Sequence, residues 1–155
     1  MKNVKSAGAL TDTVTFHLGT LGTIITDRFA GRIGEFGLKP KHVGLLVMLD
    51  AGGPASQQQL ARALRVVPSL VVALADQLED LGAVRRQRDP DDRRRQNLVL
   101  TARGRTLLRR CTAIAAAMDA ELTADLDPPA REALRRALMA VTASHGFPAT
   151  GSDPR

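Results

Sequence analysis

The helical spacing of apolar residues is interrupted over one segment of this chain of 155 residues, and that interruption restricts the possible folds more than any other feature. Up to Gly82 the apolar residues recur every three or four positions, as they do in amphipathic helices. The next segment, AVRRQRDPDDRRRQNLVLT, alternates instead at Leu98 and Leu100 and contains DPDD, a sequence with turn chemistry. We therefore predict a β-hairpin with strands at 83–88 and 96–100 and an arginine-rich tip.

Helical periodicity surrounds this hairpin on both sides. Ser56 with a glutamine three residues later fits a capping box, Pro68 suits the first position of a helix, and Gly82 suits a helix end. After the hairpin, Thr101 and Asp127 can cap two further helices. The predicted helices lie at 10–36, 43–49, 57–64, 68–81, 102–126 and 129–144. The predicted fold class is mainly α with a small β-hairpin (α+β).

Composition and charge narrow the possible partners. The net charge of +6 favours a polyanion, either nucleic acid or an anionic membrane surface. The chain has four Phe and neither Trp nor Tyr, which argues against single-strand binders that stack bases on aromatic rings. Cys111 stands alone, so an internal disulfide and a cysteine zinc cluster are excluded. No signal peptide and no membrane-spanning apolar run is visible, and we expect a cytoplasmic protein.

The order of the central elements indicates a helix-turn-helix with an appended wing. Two short helices joined by the three residues RVV precede the hairpin directly. The second of these helices fits the width of a B-form major groove. Arginines at the hairpin tip suit the concentrated negative potential of the neighbouring minor groove. The pattern therefore predicts a winged helix-turn-helix that binds double-stranded DNA.

The stretch LARALRVVPSLVVALADQLEDLGAVRRQRDPDDRRRQNLVLTARG resembles the DNA-binding core of the MarR family of bacterial transcription regulators. The matching positions extend without a gap over about 45 residues, from Leu60-Ala61 through Pro68-Ser69 and Asp92-Arg93-Arg94 to Gly104. The long first helix and the last two helices also match the dimerisation elements of that family. The resemblance therefore covers nearly the whole chain.

This resemblance implies a single domain over 1–155 that forms a homodimer. Residues 10–36 and 102–146 would be dimerisation helices, 41–101 the winged helix-turn-helix, and 147–155 a flexible tail. The resemblance implies that the dimer binds a pseudo-palindromic operator as a nucleoid-associated bacterial repressor. Many family members release DNA when a small aromatic or anionic effector binds between the dimer helices and the DNA-binding lobe, and no cofactor is implied.

Candidate DNA contacts follow from the two motifs. The family's Asp-x-Arg pair falls on Asp92 and Arg94, where the resemblance implies that Asp92 braces the loop and an arginine faces the minor groove. The stretch that opens the second helix departs from the family, because Leu70, Val72 and Ala73 stand where hydroxyl or basic residues are usual. We therefore expect modest base specificity and strong salt dependence. The candidates are Ser56, Gln57, Pro68, Ser69, Val71, Val72, Ala73, Arg86, Arg88, Asp92, Arg93, Arg94 and Arg95.

Other functional sites are weakly indicated. His17, Arg28 and Met48 are candidates for effector binding. Cys111 continues an apolar stripe, which favours a core residue over an oxidation sensor. The three histidines have no metal-ligand spacing, and no phosphate loop, nucleophile elbow or acid–base pair is present, so we predict neither a metal site nor an enzyme.

Two alternatives to the regulator remain open. In the first, the apolar second helix has lost DNA readout and the chain is a dimeric module that binds a protein partner. In the second, basic helices bind a membrane surface, but their apolar faces are needed for the core.

Overall fold

The computed structural model describes residues 10–145. Contacts divide the chain into two compact units, one ending at Ile114 and the other beginning at Ala115, so the boundary falls inside a helix. The predicted tail at 147–155 lies outside the described residues. The elements are α1 (Val14–Ile33), a 3-10 helix (Gly34–Phe36), α2 (Pro40–Gly52), β1 (Ala55–Ser56), α3 (Gln57–Leu64), α4 (Pro68–Asp80), β2 (Val84–Arg88), β3 (Gln96–Leu100), α5 (Ala102–Leu122) and α6 (Pro128–Ser144).

Polar side chains and prolines set the helix starts where the sequence predicts them. The Ser56 hydroxyl accepts the Gln59 N–H at 3.2 Å, and the Gln59 side chain accepts the Ser56 N–H at 2.8 Å, which confirms the capping box. Pro68 begins α4. The Thr101 hydroxyl accepts the Gly104 N–H, and Asp127 caps α6. These caps confirm the predicted order of helices.

Several predicted helix boundaries differ from the structure, most of them in the first, second and fifth helices. The first helix begins at Val14, because the Thr13 side chain caps it by accepting the Phe16 N–H. The second helix is longer than predicted, because Pro40 supplies a favourable first position well before its apolar stretch. The predicted helix at 102–126 ends at Leu122. The hydroxyl of Thr123 bonds back to the Asp119 carbonyl at this end.

The hairpin is confirmed, and it belongs to a sheet of three strands. β2 and β3 pair antiparallel with Val84 opposite Leu100 and Arg88 opposite Gln96. β1 adds to the other side of β3, with Ala55 opposite Leu98, so the sheet order is β1-β3-β2. The sequence analysis missed β1, because two residues are too short to show an alternating pattern.

A tight turn brings the hairpin directly off the end of α4. The Gly82 N–H donates to the Glu79 carbonyl, and the Ala83 N–H donates to the Leu78 carbonyl, both at 2.8 Å. Gly82 has a φ of +69°, a left-handed conformation that a residue without Cβ adopts without strain. The wing therefore starts at a fixed angle to α4.

The core of the first unit lies beneath α4 and the sheet. Its fully or nearly buried members come from α2, α3, α4, β2 and β3, so packing fixes these elements against one another. The central members are Leu45, Leu46, Leu60, Val71, Leu74, Ala75, Leu78, Val84, Leu98 and Leu100.

Candidate nucleic-acid interface

Helix α4 presents one face to solvent and the other to the core. Pro68, Ser69, Val72 and Ala73 are exposed and lie within its first two turns; we call these four residues the outer face of α4. The opposite face is buried and holds α4 in place. Val71, which the sequence analysis placed among the DNA contacts, is 0% exposed and belongs to that buried face. We therefore remove Val71 from the candidate contacts.

The second half of α4 is acidic, and an arginine of the wing binds it. The guanidinium group of Arg86 on β2 donates to both the Asp76 and Glu79 carboxylates, and the Arg86 N–H donates to Glu79 at 3.3 Å. These contacts raise the pKa of Arg86, with the Asp76 hydrogen bond as the largest cause. Arg86 therefore ties the wing to α4, and its guanidinium group is already engaged.

The tip of the wing is the loop at 89–95, which we call the wing loop. The Asp89 carboxylate accepts the N–H groups of Asp91 and Asp92 at 2.9 and 3.3 Å and the Asn97 amide at 3.0 Å. The hydrogen bonds from the Asp91 backbone and the Asn97 side chain are the largest causes that lower the pKa of Asp89. Asp89 therefore folds the loop around its own carboxylate.

Asp92 forms a second set of bonds in the wing loop. Its carboxylate accepts the Arg94 N–H at 3.0 Å and lies 3.4 Å from the Arg95 guanidinium group. The Arg95 N–H bonds to the Asp92 carbonyl, and the Asp89 N–H bonds to the Arg95 carbonyl. The predicted bracing role of Asp92 agrees with these contacts. Within residues 10–145, the exposed side chains of Arg93 and Arg94 bond to no other side chain.

The remaining candidate DNA contacts lie outside α4 and the wing loop. Arg88, at the end of β2, is exposed next to the wing loop. Ser56 and Gln57 are half-buried at the start of α3, where the helix N-terminus favours an anion. The Ser56 oxygen already accepts the Gln59 N–H, which leaves its hydroxyl hydrogen available as a donor.

The structure does not assemble the three effector candidates into a site. His17 and Arg28 are exposed on α1, and Met48 is half-buried on α2, where it packs against the core. A cavity of about 190 Å³ lies between the end of α2 and β3, lined by Leu49, Asp50, Gly53, Pro54, Val99, Leu100 and Arg105. The candidates do not line this cavity.

Four residues that position the wing, Asp89, Asn97, Asp76 and Glu79, are not among the predicted contacts. Asp89 accepts a hydrogen bond from the Asn97 amide at the end of the hairpin, and an aspartate before proline with an amide on the returning strand is a signal that could have found them. Asp76 and Glu79 reach Arg86 over separations of ten and seven residues, for which the sequence offers no local signal.

The described part of the chain has neither a metal-ligand cluster nor a helix that could span a membrane, and its cysteine is buried. Residues 10–145 contain no group of three His, Cys, Asp or Glu side chains that could hold a metal ion. Cys111 is 1% exposed, and burial raises the pKa of its thiol, so the thiol behaves as a core group. No helix between residues 10 and 145 is sufficiently long and apolar to cross a membrane.

A helix-turn-helix followed by a hairpin whose loop presents exposed arginines defines a winged-helix protein with a nucleic-acid interface. A sequence model of the MarR family matches residues 36–95. The HTH-type transcriptional repressor Rv2887 of Mycobacterium tuberculosis is 31% identical over 123 residues, which cover 79% of this chain and 88% of that protein. The chain belongs to the MarR family, whose matched relatives are transcriptional regulators rather than enzymes.

Solved structures share this fold over most of their length. The transcriptional repressor CouR bound to a 23-mer DNA duplex is 29% identical, with a TM-score of 0.75, over 91% of this chain and 99% of that chain. CouR from Rhodococcus jostii RHA1 bound to p-coumaroyl-CoA is 26% identical, with a TM-score of 0.69, over 85% of this chain and 93% of that chain. The winged-helix fold class predicted from the sequence is thus confirmed.

Proposed function

We propose that this chain is a homodimeric transcriptional repressor that binds a pseudo-palindromic DNA operator and releases it when a small molecule binds. The observation that carries this proposal is the geometry of the wing. Asp89 and Asp92 hold the wing loop, Arg93 and Arg94 extend from it into solvent, and Arg86 fixes the wing to α4. An ordered, positively charged loop beside an exposed helix suits the adjacent grooves of a duplex.

Each group has a distinct place in this proposal. The outer face of α4 enters the major groove, and Arg93, Arg94 and Arg95 face the minor groove and its phosphates. Arg88 adds charge at the base of the wing loop. Ser56 and Gln57 contact the DNA backbone at the α3 N-terminus. Asp92 and Arg86 act by positioning these groups.

The proposed dimer contacts come from the terminal helices, within 10–36 and 102–146. On α1, large apolar side chains are exposed, among them Val14 at 73% and Leu18 at 42%. On α6, Leu134 and Leu138 are 39% and 40% exposed. Apolar surface of this extent is what a second copy of the chain would cover.

The proposed effector is a small aromatic or anionic molecule, and we assign no cofactor. Support comes from the relative CouR, which has been solved with p-coumaroyl-CoA, a ligand with both an aromatic ring and anionic groups. His17, Arg28 and Met48 remain candidates for contacts that form only in the dimer. We place the protein in the bacterial cytoplasm, at the nucleoid where its operator lies.

One observation favours a second function, a dimeric module that binds a protein partner. Val72 on the outer face of α4 is 39% exposed, and Val67 just before the helix is 64% exposed. Together these exposed aliphatic groups suit a protein surface, whereas on DNA only Val72, which lies on the outer face of α4, would meet a thymine methyl.

A binding titration separates these two functions. Fluorescence anisotropy would measure the affinity for the DNA that flanks the protein's own coding region, at several salt concentrations. We expect Arg94→Ala to weaken binding to all sequences about tenfold and to reduce the salt slope by roughly one per subunit. Arg109→Ala, which removes the same charge from the exposed face of α5, is the control and should change affinity little.

The results of this titration distinguish the repressor from the protein-binding module. Specific binding that is weakened by Arg94→Ala but not by Arg109→Ala supports the repressor. Equal effects of both variants would mean that net charge alone drives binding, and the wing would have no assigned role. Absence of binding to any duplex at low salt would favour the protein-binding module.

A further inference from the structure

The outer face of α4 carries almost no group that can form a hydrogen bond with a base. No lysine or arginine occurs between Pro68 and Asp80. The Ser69 hydroxyl is the one polar side-chain group of the outer face, and the rest of that face consists of the ring of Pro68 and the methyl groups of Val72 and Ala73. This surface is therefore aliphatic at the point where a helix-turn-helix approaches base edges.

The polar residues further along α4 do not compensate. Guanine is read most often by a bidentate arginine or lysine, which α4 lacks. Cytosine is read by a carboxylate, but Arg86 already binds the Asp76 and Glu79 carboxylates. Adenine is read by Asn or Gln, and Gln77 lies two turns beyond Ser69. The base that suits aliphatic side chains is thymine, through its C5-methyl group.

Charge determines which end of α4 approaches the DNA. The second half of the helix carries Asp76, Glu79 and Asp80, and Arg86, which binds the first two, offsets only one of these three negative charges. Phosphates repel this end, whereas the helix N-terminus attracts them. The Arg86 contacts also hold the second half of α4 against the wing. The first two turns, with Val72 and Ala73, are therefore the part that enters the groove.

We propose that this regulator reads its operator by methyl contact: Val72 and Ala73 pack against the C5-methyl groups of pyrimidines in the major groove. The operator half-site beneath α4 is thymine-rich, and 5-methylcytosine, which carries the same methyl group at the same position, substitutes for thymine there. This inference rests on the proposed function and deepens it by naming the chemical group that confers specificity. Val72 is the principal specificity-determining residue, because it is exposed and carries two methyl groups.

The test begins with selection of duplexes from a random library by the full chain. Each thymine of the selected site is then replaced by deoxyuracil, which removes a single methyl group and leaves base pairing unchanged. We expect one or two positions in each half-site at which this replacement weakens binding roughly fourfold, the effect of losing one buried methyl group. Replacing the T·A pair at such a position by 5-methylcytosine·G should weaken binding less than replacing it by C·G.

Two variants connect this effect to the helix. In Val72→Ala, the ratio of the affinities for the thymine and deoxyuracil duplexes should fall toward one, because the side chain that packs against the methyl group is gone. Val67→Ala makes the same chemical change outside the outer face of α4 and should retain the penalty. Because Val72 and Val67 are both exposed, neither substitution should prevent folding.

Each outcome decides the proposal. Thymine-rich sites with a penalty that depends on Val72 support it. Specific sites that tolerate deoxyuracil at every position, or that are dominated by G·C pairs, overturn methyl reading while the repressor function stands. Binding without any sequence preference also overturns it and leaves DNA shape and phosphates as the determinants. Absence of DNA binding overturns both this inference and the proposed function.

Discussion

At the scale of single residues, the carboxylate of Asp89 receives three N–H groups and thereby sets the shape of the wing loop. Asp89 lies next to the arginines that we propose as DNA contacts but carries the opposite charge. We therefore expect Asp89 to favour DNA binding by ordering the wing loop and not by attracting the DNA. This combination allows its role to be separated experimentally from the effect of net charge.

We predict that Asp89→Ala weakens DNA binding roughly three- to tenfold, although it makes the protein more positive. The loop loses its central acceptor, so the arginines must be ordered when DNA binds. Asp91→Ala is the control, because it removes the same charge from an exposed side chain and should bind DNA equally or slightly more tightly. Anisotropy titrations at one salt concentration compare the two variants. Tighter binding by Asp89→Ala would show that the wing loop needs no internal acceptor.

His42 is the buried titratable residue of α2, at 1% exposed. Its Nδ1 accepts the Lys39 N–H at 2.9 Å, and among the described residues its Nε2 has no hydrogen-bond partner of normal geometry. Burial lowers the pKa of His42, the charge of Lys39 acts in the same direction, and the Gln77 side chain opposes them. The ring is therefore neutral in the folded protein at pH 7.

This neutral histidine predicts a loss of stability in mild acid. The unfolded chain takes up a proton at a pKa of about 6.5, above the lowered pKa of the folded protein. The free energy of unfolding should therefore fall as pH decreases below about 6.5, by at most ~1.4 kcal/mol per pH unit from this residue. Urea titrations between pH 7 and 5 measure it. His42→Asn should remove this component and the exposed His17→Asn should retain it; a pH dependence unchanged in His42→Asn would contradict the assignment.

The sequence could predict the residues whose role depends on neighbours a few positions away in the chain. Ser56, Thr101 and Asp127 cap helices through contacts three residues away, and all three were predicted correctly. Val71 was misassigned because a three- or four-residue spacing does not fix which neighbouring position faces the core. Arg86 was predicted to contact DNA, but its bonds to Asp76 and Glu79 depend on tertiary structure.

At the scale of elements, the start of α5 packs closely against the backbone at the beginning of the wing. The Thr101 hydroxyl bonds to the Gly82 carbonyl at 2.7 Å and caps α5 through Gly104. A Cβ built on Gly104 would lie 2.1 Å from the Ala83 carbonyl oxygen and 2.6 Å from Leu100. The start of α5 thus lies directly against both ends of the hairpin.

We predict that Gly104→Ala destabilises the protein by about 1–3 kcal/mol or more, because backbone must shift to admit the methyl group. Gly52→Ala is the matched control, since a Cβ there meets nothing within 4 Å in the described chain and alanine favours helix. Urea denaturation at equal protein concentration compares the two. Equal stability of Gly104→Ala and the wild type would show that this contact yields easily.

The hairpin and the helices were predictable because their spacing patterns and turn chemistry are local. β1 was missed, since a strand of two residues exists only through its pairing with β3. The ends of α1, α2 and α5 were placed imprecisely, because apolar periodicity locates the middle of a helix better than its caps.

At the scale of the whole molecule, exposed apolar side chains on α1 and on α6 indicate that the single chain is an incomplete unit. A second copy of the chain would cover these side chains and would also supply the second α4 that a pseudo-palindromic operator needs. The sequence alone could not locate the proposed effector contacts, because a site formed between subunits would have no pattern within one chain.

Hydroxyl-radical footprinting of the selected operator tests the central claim most directly, because it shows where two wings and two α4 helices contact one duplex. The account predicts two symmetry-related protected regions whose centres lie about 10 base pairs, or a multiple of one turn, apart. Outside each should lie a protected minor-groove patch that disappears in Arg94→Ala. A single protected region, or wing protection that persists without Arg94, would contradict it.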